Sequence, residues 1–93
     1  MKTRFHFYAD PSHGWLKVQK AELENLNLSC PISSFSYVSP DGRFYFLEED
    51  RDASIFIAAY QDQVLKNDQK VTFNEHYSNR SSRIRNYSQF PKV

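Results

Sequence analysis

The chain has 93 residues, of which 40% are hydrophobic and 25% charged, so it makes one globular domain and excludes both a second core and a disordered composition. Its formal net charge of +1 is far from the basic balance of a dedicated nucleic-acid binder, and its single cysteine, Cys30, excludes an internal disulfide. No apolar run reaches the roughly 18 residues of a membrane span, and the basic start Met1–Tyr8 alternates where a signal peptide would carry an apolar block, so the expected setting is cytoplasmic.

Arg4 to Tyr8 alternates and predicts a strand with Phe5 and Phe7 on one face, His6 and Tyr8 on the other. Asp10-Pro11-Ser12-His13-Gly14 is a turn, and Trp15 to Val18 is the returning strand, with Leu16 and Val18 together. Trp15, at the loop exit, is expected half-exposed. Lys20 to Leu26 predicts a short helix that Asn25, Asn27 and Pro31 end. Ser33 to Val38 reads as a third strand with Phe35 and Tyr37 on one face. Ser39-Pro40-Asp41-Gly42 is a turn. Arg43 to Glu48 is a fourth strand, apolar on both faces (Phe44 and Phe46; Tyr45 and Leu47) and therefore expected inside the sheet. Asp50 or Asp52 is expected to cap the longest helix, running to about Lys66 with Ala53, Phe56 or Ile57, Tyr60 and Val64 as its buried stripe. Val71 to Glu75 is the fifth strand, with Val71 and Phe73 inward.

The order β-β-α-β-β-α-β predicts an α+β domain over 1–93: an antiparallel sheet of four to five strands, two helices on one face, and a basic C-terminal arm at about 79–93. His6, Tyr8, Tyr45 and Leu47 are the candidates for the face left open.

No motif demands catalysis. An Asp10–His13 pair is the one place where a carboxylate would orient an imidazole as general base, yet the same residues make an ordinary turn in which Asp10 and Ser12 bond backbone amides. Cys30 lacks a neighbouring base in sequence and reads as a small hydrophobe. His6, His13, His76 and Cys30 have no metal-ligand spacing, and neither of the two glycines lies in a phosphate-cradling loop. No catalytic residue, metal or cofactor is assigned.

Eight Phe, six Tyr and one Trp exceed what one small core needs, which points to a protein-binding surface. The candidate partner-binding residues are Trp15, Tyr45, Glu48 and Glu49, followed by Arg80, Arg83, Arg85 and Tyr87 in the arm. Phe35, Tyr37 and Tyr60 belong to the same aromatic excess. Glu48, Glu49, Asp50 and Asp52 form an acidic cluster suited to a basic partner. Edge-strand pairing offers a homodimer. Nucleic acid is the secondary partner, through phosphate contacts of the arm arginines and stacking on Tyr87. The bland reading of the arm packs it across the protein, with its arginines paired to the acidic helix start.

Three stretches in combination, Tyr8-Ala9-Asp10-Pro11-Ser12-His13-Gly14-Trp15-Leu16-Lys17-Val18, Tyr45-Phe46-Leu47-Glu48-Glu49-Asp50-Arg51-Asp52-Ala53 and Ser81-Ser82-Arg83-Ile84-Arg85-Asn86-Tyr87, resemble a group of short accessory proteins of bacteriophages and prophages. The resemblance spans most of the chain and brings no catalytic residues with it. It implies a protein acting in the host cytoplasm that binds and inhibits a host protein or defence complex, of the anti-CRISPR or anti-restriction class. A small nucleic-acid-binding accessory protein is the alternative.

Overall fold

Cross-strand register decides which aromatics meet which layer. A computed structural model describes residues 2–89 and shows an α+β fold, a six-stranded mixed sheet with two helices. The strands are β1 (Arg4–Ala9), β2 (Gly14–Gln19), β3 (Tyr37–Val38), β4 (Phe44–Glu48), β5 (Thr72–Tyr77) and β6 (Ser88–Gln89), in spatial order β5-β1-β2-β4-β3-β6. Helix α1 is Lys20–Glu24 and helix α2 is Asp52–Gln63. A 3-10 turn, Arg83–Asn86, precedes β6. Arm residues beyond Gln89, Lys92 among them, lie outside the described residues.

Leu16 pairs with Leu47 and Val18 with Tyr45, so all four share one face. Both helices pack there, with Phe5, Leu23, Leu26, Phe56 and Tyr60 in the same core. Tyr45 and Leu47 therefore lie beneath the helices and not on the open face. Phe44 and Phe46 take the opposite side with Tyr8, as the period of two requires. β4 is an interior strand, as its two apolar faces predict.

The sheet is mixed, not antiparallel, because of α2. β1 and β4 run in the same direction, each antiparallel to β2. α2 carries the chain back over β1, where the Phe5 ring meets Phe56 and Tyr60 edge-on at 5.5 and 5.2 Å, and the Tyr60 hydroxyl donates to the Lys2 carbonyl at 2.6 Å. The chain then re-enters at the β1 edge pointing the same way, and β5 pairs with β1 in parallel over Thr72–Tyr77. β5 is mostly exposed: Phe73 reaches only the edge of the Phe7 ring, and Val71 lies before the strand, packed against the core.

The segment 33–38 is mostly not strand. Asp52, at the first position of α2, is fully buried and gathers the Ser33 amide, the Ser33 hydroxyl and the Ser36 hydroxyl, so these groups leave the ladder and only Tyr37–Val38 pairs. Arg51, not Asp50 or Asp52, occupies the cap position, and the helix ends at Gln63, short of Lys66. Helix α1 likewise stops at Glu24.

Two residues answer specific steric demands. Gly14 lies under the Phe7 ring, where an added Cβ would come within 2.4 Å of Cζ, so only glycine lets that ring reach the core. Gly42, at φ +73°, closes the β3–β4 turn by donating to the Ser39 carbonyl at 2.9 Å.

Candidate functional site

The face opposite the helices carries a second, smaller core of Trp15, Phe46 and Ile84, flanked by Tyr8, Tyr37, Phe44 and Tyr87. Ile84 comes from the arm, which folds across this face. Trp15 is consequently 2% exposed, not half-exposed.

Asp10 pins the arm. Its Oδ1 accepts the amides of Ser12 and His13, each at 3.0 Å, which is the turn reading of this segment. Its carboxylate also accepts Arg85 through Nε at 2.6 Å and a terminal nitrogen at 2.9 Å, and the Ser82 amide at 3.0 Å. The Arg85 pair, followed by these amides, holds the Asp10 carboxyl far below the usual carboxylate range, although burial opposes it. Asp10 thus turns to Arg85 and to backbone amides, not to the His13 imidazole. The arm arginine that pairs does so with this turn, not with the acidic helix start.

A cleft of about 370 Å³ opens beside this hub. Trp15, Tyr37 and His13 form one wall, and Phe35 stands at its rim, 72% exposed. The Trp15 and Tyr37 rings meet edge-on, 6.2 Å between centroids. Phe35 is not loosely placed: Ser33 and Ser36 on either side of it grip buried Asp52, and its own amide donates to the Ser33 hydroxyl at 3.2 Å.

Glu48 and Asp50 supply the opposite charge in this cleft, and Arg51 and Arg85 complete it. Both arginines are committed. Arg85 holds Asp10 with its guanidinium 5.4 Å from the Trp15 ring, and Arg51 donates to the Pro31 carbonyl at 3.0 Å and to Asp52 at 2.9 Å. Among the described residues neither Glu48 nor Asp50 has an ion-pair partner. Glu48 accepts the Asp50 amide at 3.0 Å, but burial, with the Asp50 charge adding to it, pushes its carboxyl above the ordinary glutamate value.

The structure brings Trp15, Glu48 and Arg85 together. Glu49 is exposed just outside, its amide donating to the Gly14 carbonyl at 3.0 Å. Tyr87 packs on Phe46 with centroids 5.3 Å apart. Arg80 and Arg83 are exposed outside the cleft, and Tyr45 is buried under the helices, where burial and then Glu24 raise its hydroxyl pKa. The acidic surface reduces to Glu48, Glu49 and Asp50, since Asp52 is consumed inside. Asp50, Arg51 and His13 join the cleft with no spacing signal: Asp10 and Arg85 lie 75 positions apart, and only the folded arm puts them side by side.

Among the described residues, no group of three or more His, Cys, Asp or Glu is placed to hold a metal ion, and no helix is long and apolar enough to cross a membrane. Compared with protein-family models, curated proteins and solved structures, the chain matches none.

Proposed function

We propose that this protein is a binding module that docks on a partner protein by taking one of its basic side chains into the Trp15–Tyr37–Glu48 cleft. The observation that carries this is Phe35, a large aromatic held out in solvent by a loop clamped to a buried carboxylate. An anchor fixed before binding loses little conformational entropy when it is covered, and aromatic anchors beside a desolvated pocket dominate interface energetics. The charge of the cleft selects the occupant. Its arginines are internally paired and its two carboxylates are not, so a guanidinium or ammonium entering between aromatic rings and Glu48 completes the balance. It also relieves a carboxyl that burial disfavours as an anion.

In the setting implied by the likeness to phage accessory proteins, the partner is a host protein with a basic surface, such as a nucleic-acid channel. Inhibition then follows by occlusion and needs no catalytic group.

The only tryptophan of the chain reports on the cleft. Titration with a short blocked peptide bearing one arginine is expected to change Trp15 emission saturably. The citrulline peptide, isosteric and uncharged, is expected to leave it unchanged, and Glu48→Gln to abolish the response. The affinity should fall as pH drops through the raised Glu48 pKa, because protonation removes the attracting charge. No saturable response to arginine, or an equal response to citrulline, overturns the reading. Capture of nucleic acid alone by the tagged protein would favour the nucleic-acid alternative.

A further inference from the structure

The open face carries a second cluster, on the parallel pair β1–β5. His6 and His76 project from these strands on the side away from the helices, with Nδ1 of His6 2.9 Å from Nε2 of His76. Tyr8 stacks on the His76 ring at 4.6 Å between centroids and 14° between planes, which fixes that ring's attitude. The Asn74 side-chain amide lies 3.4 Å from the same His6 nitrogen, and turned end for end it presents Oδ1 there. Both histidines are exposed, so their imidazoles are open to solvent species.

We infer that His6 and His76 form a chelating site for a divalent transition metal that takes ligands at right angles, of the nickel or copper type. Metal–imidazole bonds of about 2.0–2.1 Å meeting at 90° hold two nitrogens about 2.8–3.0 Å apart, whereas a tetrahedral centre spreads them to about 3.3–3.4 Å. The observed 2.9 Å meets the first condition. The same separation suits a hydrogen bond between the rings. Exchanging one for the other needs only a rotation of exposed side chains, bringing both lone pairs onto one point and displacing the shared proton to solvent. Asn74 Oδ1 and water fill further positions.

The surroundings set the selectivity. Lys2, Arg4 and Lys17 place positive charge near His6. Lys17 leans over the Phe44 ring at 4.2 Å, and Lys2 reaches Glu22 at 3.4 Å. No carboxylate takes part in the cluster's contacts. Calcium and magnesium, which are held by charged oxygens, gain nothing here, while a metal bound by imidazole nitrogen does. The consequence is mechanical as well as chemical: the chelate ties the exposed edge strand β5 to β1.

Calorimetric titration with Ni²⁺ tests this, in a Cys30→Ser background because the exposed thiol of Cys30 would itself take the metal. One equivalent is expected to bind, with affinity at least tenfold weaker in His6→Ala and in His76→Ala. His13→Ala is expected to keep the full affinity, and Mg²⁺ to give no heat. Melting curves without metal confirm that the variants are folded, and hydrogen exchange at β5 amides should slow on Ni²⁺ addition only where both histidines are present. Absence of Ni²⁺ uptake, or uptake indifferent to both substitutions, overturns the inference.

Discussion

Asp10 decides more than its turn. It is one carboxylate with five donors, and two of them come from Arg85 in a fork that lysine does not reproduce. Asp10→Asn puts an amide group against that fork. The variant is expected to melt several degrees lower at neutral pH, with the arm released. The sign of the pH dependence follows from the depressed carboxyl. The stabilisation is fully present above the unfolded value of about 3.9 and fades as pH falls below it towards the much lower folded value. Wild type and Asp10→Asn should therefore differ at pH 7 and converge progressively under strong acid, which thermal melts at several pH values will show. In the sequence Asp10 is legible as a turn residue from Pro11 and Gly14 beside it. Its bond to Arg85 is not, because nothing local marks a partner brought up by tertiary folding.

Among the elements, the arm is the one that the pattern describes least. Arg83–Asn86 and Ser88–Gln89 are polar and short, without a period of two or of 3.6, so they give no strand or helix signal. One residue, Ile84, converts this segment into structure by filling the space over Trp15 and Phe46. Ile84→Ala is expected to cost about 2–4 kcal/mol by large-to-small truncation in a packed site. It should also shift Trp15 emission to the red, since the arm is its cover. Phe56→Ala, on the helix side, is expected to cost about 3–5 kcal/mol without that native-state red shift. Denaturant curves followed by tryptophan emission separate the two. The strongly patterned elements were legible: β1, β2 and β4 by alternation, α2 by its stripe. The segment before Tyr37 alternates as well as they do. It fails as a strand because Asp52, nearly twenty residues on, offers its serines a better set of hydrogen bonds. The cleft inherits this limit. Trp15 and Glu48 sit in regular strands and were nameable, whereas the rim that Phe35 makes exists only through Asp52.

For the whole molecule, the direction of β5 is the feature that pattern alone did not fix, since a strand's alternation is the same whichever way it runs. Its placement has a kinetic side. The β1–β2 pairing closes over a short turn, but the β1–β5 pairing joins His6 to His76, 70 positions apart. Closing so long a loop costs entropy that the pair recovers only after α2 has seated against Phe5. The central strands and α2 are thus expected to assemble first and β5 to zip on last. The same order in reverse makes β5 the earliest segment to open from the native state. In native-state hydrogen exchange its amides should follow a lower opening free energy than those of β2 and β4. A domain built this way has a fast-forming body and a slow-closing seam, and the seam is where a small input of binding energy can change how long the molecule stays shut.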